Sequence, residues 1–474
     1  MTPSTEGLCV VVVLIATLGM AAPCLAQGAT DRRPRARIAD VCAAYGAKRL
    51  ASGIFVAGRT PESVASEELG LLPFLRYEVN RQDKTVTAWV FPKRRKTAVY
   101  REGLGVALAH DGDIEALKRQ ARPNLIPDLS HLAAKPWPVG DAPSGNPLPA
   151  GLDEDKLAAA VNGMFAEPNP LWKRRTRAVI VLYDGEIVAE RYAKGFGPAQ
   201  RLPAWSMTKS ILHALYGIAV RQGRLSVSDK ASVPLWQKDG DARSAITVDM
   251  LLRMSSGLAF GEYKILPPSD LVRMLFLNPD AADYASRLPL VHPVDTVWAY
   301  ASGTSNILSR VLRQAYGDDA YYALPYQELF AKIGMRSATL EADPTGTLVF
   351  SSFLFATARD FARFGLLYMN DGVWRQERLL PEGWVEYART ATPTAPQGQY
   401  GAHWWRPSLH ERTRAKARGV ALPDDTFNAS GFEGQKIVVI PSRKLVIVRL
   451  GLTYFADYPM YDHVCDVLAS LPAR

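Results

Sequence analysis

Cysteine is scarce: the 474 residues hold only Cys9, Cys24, Cys42 and Cys465, with no C-x-x-C pair. Histidine is almost as rare, seven residues scattered along the chain with no H-E-x-x-H. These absences exclude a disulfide-stapled scaffold and leave no group at metal-ligand spacing, so neither a metal nor an organic cofactor is expected. No period of roughly 20–50 residues repeats, which excludes a solenoid or propeller. Beyond residue 26 no apolar run reaches the about 18 residues a membrane span needs. Charge of one sign is also lacking: 56 Lys+Arg against 47 Asp+Glu leave a net +9. That mild excess favours solubility and is not the footprint of a nucleic-acid binder. The basic clusters Lys93–Lys96, Lys173–Arg177 and Arg406–Arg418 read as solvated surface. What is present, 48% hydrophobic and 22% charged residues, is material for a large globular core.

The first residues have their own pattern. An apolar run from Leu8 to Pro23 is followed by Cys24-Leu25-Ala26-Gln27, as in a signal peptide (residues 1–26) cut after Ala26. Glu6 and the lack of Lys or Arg before the run are unusual for an export signal. A lipid anchor at Cys24 is the alternative, and Ala21-Ala22-Pro23 is a poor approach to one. The chain is therefore expected to be exported, periplasmic or secreted. Processing leaves Cys42 and Cys465, which either bridge the terminal helices or stay as two separate buried thiols.

Helical spacing over Ile38–Leu50 and an alternating Arg76–Phe91, turning at Asp83-Lys84, predict an N-terminal region over 27–135 packed on the main body. Residues 136–150, rich in proline and glycine, read as a linker. The main body, 151–474, opens with a helix near Glu154–Phe165 and a hairpin, Ala178–Tyr183 and Glu186–Tyr192, around Asp184-Gly185. A mostly helical block runs from Lys209 to about Ala338. Strands return at Lys436–Ile440 and Leu445–Leu450, and a helix at Met460–Leu471 closes the chain. Strands at both ends with helices between predict an α+β fold, an antiparallel sheet flanked by terminal helices plus a mostly helical subdomain.

Three segments carry chemistry. In Leu202–Val220 a helix begins with Ser206 and Lys209, S-x-x-K; Lys209 is the one lysine with a serine three residues before it. Residues three apart share a helix face, so the amine reaches the hydroxyl and, when neutral, takes its proton. The same spacing also serves a capped core helix with an exposed lysine. In His292–Leu308, Tyr300 stands in the run Trp298-Ala299-Tyr300-Ala301-Ser302-Gly303. A tyrosine beside an ammonium can shuttle protons, and a plain core tyrosine fits the pattern equally. In Asn428–Gln435, two glycines bracket the start of a strand, which allows a substrate to approach that edge or merely makes a tight turn. The G-x-S-x-G signature of other hydrolases is absent.

In this order the segments resemble the serine β-lactamase and penicillin-binding-protein superfamily, in particular its class C-like branch of esterases, D-aminopeptidases and 6-aminohexanoate-dimer hydrolases. Ile246–Leu258, with its LL-x-M-x-SGL pattern, Ser351–Trp374, Leu379–Trp384 and Tyr400–Trp405 extend the resemblance over about 178–452. It implies the β-lactamase/transpeptidase-like fold, with Ser206 acylated, Lys209 as its base and Tyr300 as second acid/base. The backbone N–H groups of Ser206 and Gln435 would form the oxyanion hole. Ser302, Phe432, Glu433, Gly434 and Trp405 would touch substrate. Ser302 replaces the asparagine of the branch's Y-x-N, and Phe432-Glu433-Gly434 stands where K-T-G or H-x-G is common. Loss of that cation disfavours substrates with a carboxylate near the cleaved bond. A linear amide or ester is expected, hydrolysed by a serine hydrolase. Carboxylesterase, D-amino-acid peptidase and β-lactamase are the alternatives within the enzyme class. A non-hydrolytic penicillin- or cell-wall-fragment-binding module is the alternative outside it.

Overall fold

The computed structural model describes residues 33–110, 112–169, 173–262, 268–453 and 458–472. The signal peptide expected from the sequence and its alternative, a lipid anchor at Cys24, lie outside these residues. The chain begins with helix α1 (Arg33–Ala51), followed by the strands β1 (Arg76–Asn80), β2 (Thr85–Trp89), β3 (Arg95–Arg101) and β4 (Gly105–Ala109). These form an antiparallel meander in the order β1-β2-β3-β4. Lys84 takes the left-handed conformation that the hairpin turn requires, φ 51°. Alternation does the rest: Val86, Ala88, Ala98, Val106 and Leu108 face α1 through Ala44, Ala47, Leu50 and Ala51.

The main sheet has five strands. Helix α2 (Glu154–Met164) precedes β5 (Thr176–Tyr183) and β6 (Glu186–Tyr192). The other three strands come from the far end: β7 (Phe427–Gly431), β8 (Gln435–Ile440) and β9 (Leu445–Gly451). They assemble antiparallel in the order β7-β8-β9-β5-β6. β5, β8 and β9 are apolar on both faces because helices cover both. Ala178, Ile180, Leu182, Val446 and Val448 join the large inner core. Val179, Val181, Val438, Ile440 and Ile447 join a second core with Leu157 and Val161 of α2. Val464 and Leu468 of the last helix, Met460–Leu468, complete that second core. On the inner face, helix Ala358–Met369 lies so close that a Cβ on Gly365 would stand 2.5 Å from Val446. The arrangement is the α+β sandwich expected. The helical block between the strands includes Thr208–Arg221, Val248–Leu252, Asp270–Phe276, Ala281–Ser286 and Ser302–Tyr316. No helix among the described residues is long and apolar enough to cross a membrane.

Of the two alternatives for the thiols, the structure shows separate ones: Cys42 and Cys465 are both free and buried. Cys42 belongs to the helix on the N-terminal meander and Cys465 to the core behind the main sheet, and burial pushes the Cys42 thiol up to about 12. The basic run Lys173–Arg177 is not all surface, since Arg177 is buried and bonded to Glu67 (2.6 Å) and Glu68 (3.1 Å).

The meander and the main body share one apolar core and are pinned by a buried ion pair. Lys48 contacts Glu341, whose carboxylate also accepts from Ser52 Oγ (2.8 Å) and the Val106 N–H (3.0 Å). The Pro-rich segment is held as well: Trp137 donates to the Gly185 carbonyl (2.8 Å) and Arg363 to that of Pro138 (2.8 Å). Removing one partner of a buried pair strands the other charge. Lys48→Met is expected to lower unfolding stability by about 3–5 kcal/mol, read from the urea midpoint. A loss under about 0.5 kcal/mol, the range of neutral surface changes, would contradict this.

Candidate active site

The approach to Ser206 is set by backbone pairing. Leu202–Pro203 pairs antiparallel with Leu354–Ala356, and the Ala204 N–H donates to the Leu354 carbonyl at 2.8 Å. Trp205 then turns with φ 49°, the left-handed region, and a short 3₁₀ turn, Trp205–Met207, leads into helix Thr208–Arg221. A non-glycine residue there is strained and persists only when its surroundings hold it. The turn presents Ser206 at the surface of the cleft while Lys209 is buried, 1% exposed.

Lys209 Nζ is 3.0 Å from Ser206 Oγ, 3.0 Å from Ser302 Oγ and 2.9 Å from the Ser351 carbonyl. The Ser302 hydroxyl gives its proton to Glu262 (2.7 Å), so toward Lys209 it can only accept. The Ser351 carbonyl also only accepts. A neutral Lys209 therefore spends its two N–H bonds on these oxygens and aims its lone pair at Ser206 Oγ. Burial lowers the Lys209 amine to about 8, while the nearby Glu262 pulls it upward. Glu262 is itself buried, which raises its carboxyl; Lys209 and the Ser302 N–H (2.8 Å) oppose that rise. Ser302 is fully buried, so it links Lys209 to Glu262 and is not on the substrate surface where the sequence put it.

Tyr300 is half-buried, its ring face 5.0 Å from Lys209 Nζ. The LL-x-M-x-SGL segment holds its loop. Ala299 N–H donates to the Met254 carbonyl (2.9 Å) and Ser255 Oγ to Asp295 (2.6 Å). Gly257 takes φ 75°, and a Cβ there would meet the His292 carbonyl at 2.3 Å. Trp405 packs 5.1 Å from the Tyr300 ring, with Tyr400 and Trp298 beside it. Trp404 is fully buried and is core.

His403, left unassigned by the sequence reading, locks the same helix turn. Its Nδ1 is 3.0 Å from the Lys209 carbonyl and its Nε2 3.2 Å from Ser305 Oγ. The carbonyl assigns the proton to Nδ1, and burial holds the ring neutral, down to about 3. Nothing in the spacing of Glu262 from Ser302 marks this pair in the sequence.

On the far side, Gln435 begins β8 with its side chain bonded to both N–H and carbonyl of Gly451 (3.0 and 2.6 Å). Gln435 is fully buried and pairs with Gly431 across the turn, and β8 lies between β7 and β9, so it is an inner strand of the sheet and not an edge. Phe432 is exposed and stands edge-on to Trp205 at 5.4 Å. Gly434, φ 79°, leaves room for Arg449, which a Cβ would meet at 2.5 Å. The Glu433 carboxylate turns inward to Arg49 (3.2 Å) and Trp205 Nε1 (2.8 Å). The negative charge that the sequence placed near the substrate is thus buried and paired.

Reactivity at Ser206 should follow the Lys209 amine. Below about 8 the amine is an ammonium without a lone pair. The rate of Ser206 modification by a fluorophosphonate is expected to rise with pH and level off above that value. Glu262→Gln removes the charge that raises Lys209, so the midpoint should move to lower pH. An unmoved or higher midpoint in that variant would refute the coupling.

The Beta-lactamase family profile matches residues 169–451. A 6-aminohexanoate-dimer hydrolase of Paenarthrobacter ureafaciens is 26% identical over 302 residues, 58% of this chain and 72% of that protein. Two solved structures share the fold. A penicillin-binding-protein homologue from Caulobacter crescentus gives TM-score 0.53 at 15% identity, covering 67% of this chain and 98% of that one. EstCE1, described as a hydrolase with promiscuous acyltransferase activity, gives 0.52 at 13%, covering 66% and 99%. With the family profile spanning more than half of its length, from the β5 side of the main sheet to its return strands, the chain belongs to the Beta-lactamase family of hydrolases.

Proposed function

We propose that this protein is an exported serine hydrolase that cleaves a linear amide or ester through an acyl-enzyme on Ser206. The observation that carries the reading is the buried Lys209 amine, 3.0 Å from Ser206 Oγ with its other hydrogen-bonding directions committed. Neutral Lys209 takes the Ser206 proton as Oγ bonds to the substrate carbonyl carbon. The carbonyl oxygen becomes an oxyanion held by the Ser206 and Gln435 N–H groups. Collapse breaks the bond to the leaving nitrogen or oxygen, which takes a proton relayed through Tyr300. In the second half Tyr300 and Lys209 deprotonate water, which attacks the acyl carbon and returns the proton to Ser206.

Pairing of Glu433 with Arg49 leaves neither a cation nor a free anion at the third motif, which favours a substrate neutral near the cleaved bond. The half-buried rings of Tyr300 and Trp405, backed by the buried Tyr400, suit an unbranched carbon chain. The similarity to a 6-aminohexanoate-dimer hydrolase gives the amide a slight preference over the ester.

Intact-mass spectrometry with a fluorophosphonate tests the reading. One adduct is expected on the wild type and none on Ser206→Ala. Lys209→Ala should slow substrate acylation by about 10²–10⁴-fold, as loss of a general base does. Near-normal activity in either variant would end the assignment. An acyl adduct that forms on short esters and linear amides but never turns over would identify a binding module instead.

A further inference from the structure

The N-terminal region reaches the reactive turn through one side chain. Arg49, at the end of α1, is 5% exposed. Its Nη2 contacts both oxygens of Glu433, at 3.2 and 3.3 Å, and Glu68 at 2.6 Å. Its guanidinium also covers the Trp205 ring, 4.8 Å from the centroid. Trp205 donates its indole N–H to the same Glu433 carboxylate at 2.8 Å. Arg49, Glu433 and Trp205 therefore form a closed triangle in which each member touches the other two.

Two corners of that triangle border the chemistry. Trp205 directly precedes Ser206, and Glu433 stands two residues before Gln435. Both adopt left-handed backbone, φ 49° and 64°, a conformation that side chains larger than glycine hold only under constraint. The backbone of the Glu433 turn is fixed separately: Arg449 donates to the Glu433 and Gly434 carbonyls at 3.0 and 2.9 Å. The turn and the elbow are also in direct backbone contact, since a Cβ on Gly431 would stand 2.2 Å from the Ala204 carbonyl. The relative placement of Ser206 and Gln435 is thus set by that backbone contact and by the side-chain bond from Trp205 to Glu433.

We propose that Arg49 is a positioning residue of the acyl-transfer site, holding the Ser206 elbow and the Gln435 end of β8 in register through Trp205 and Glu433. The proposal rests on the reading of Ser206 as nucleophile and Gln435 as an oxyanion donor. It gives the N-terminal region a part in the reaction beyond covering apolar surface. Without the guanidinium, the Glu433 carboxylate is a buried charge short of its counter-ion and the indole loses its cover. The two left-handed turns then lose what constrains them together.

The test uses the full-length protein and a fluorophosphonate, reading the limiting rate of Ser206 modification, the half-saturating probe concentration and the melting temperature. Arg49→Met is expected to lower the limiting rate about 10–100-fold, the scale of a small misplacement of reacting groups, with half-saturation changed less than about twofold. Adding Glu433→Gln should recover part of that rate, because the neutral amide still accepts from the indole and needs no cation. A folded Arg49→Met that labels at the wild-type limiting rate overturns the proposal, as does a loss that Glu433→Gln does not relieve. If Arg49→Met fails to fold, Trp205→Phe decides. It removes the indole donor to Glu433 and leaves a smaller aromatic ring under Arg49 and beside Phe432, and an unchanged limiting rate overturns the proposal. A wild type that never labels overturns the Ser206 reading itself and this proposal with it, whereas a labelling wild type with indifferent variants overturns the proposal alone.

Discussion

The site depends on keeping a single amine dry. Lysine in water is an ammonium at neutral pH and no use as a base. Here the interior around Lys209 removes the solvent that stabilises the charge, bringing the amine to about 8. Roughly a tenth of the molecules then hold it neutral near pH 7. Glu262 works against this, and its distance is moderated by Ser302, which stands between the two side chains. One hydroxyl away, the carboxylate leaves the amine poised while giving Ser302 a fixed orientation. The 2% exposed His403 beneath the helix turn and the SGL segment beneath the Tyr300 loop serve the same end, because an amine with a directed lone pair needs immobile neighbours.

The third motif differs from the rest of the site in that its charge has been internalised. Glu433 lies in a buried cluster with Arg49, which also binds Glu68, and Glu68 in turn holds Arg59 and Arg177. Buried ion pairs of this kind add little net stability against an apolar replacement, but they fix geometry because each member is costly to leave unpaired. Phe432 stands against Trp205, next to Ser206 in the chain, and Trp405 against Tyr300.

Much of this was legible in the sequence where local rules decide. Alternation marked the hairpin at Asp83-Lys84, and turn residues between short apolar runs marked the hairpin at Asp184-Gly185 and the return strands β8 and β9, which are buried on both faces. S-x-x-K was legible because both residues belong to one turn of chain. Glu262 and His403 were not, since each meets Lys209 or Ser302 only after distant segments pack. The direction of Glu433 was misread for the same reason: its sequence neighbours give no hint of Arg49, which arrives from the opposite end of the chain. The two thiols were undecidable because composition does not tell which layer a helix covers. Arg177 looked like surface because charge runs usually are, yet its strand is central and its partners come from the N-terminal region.

The order of strands in the main sheet has a consequence for how the protein is made. β5 and β6 are synthesised early, but the neighbour that completes β5 is β9, among the last residues of the chain. Until those residues leave the ribosome, β5 presents an unpaired apolar edge and half the inner core lacks its floor. The N-terminal meander, by contrast, closes entirely through neighbouring strands and can form as soon as it emerges. A nascent chain therefore carries a finished small sheet beside an unfinished large one, with Ser206 already present and the strand bearing Gln435 not yet made. A polypeptide truncated between Ser206 and β7 keeps that serine but lacks the strand that bears Gln435.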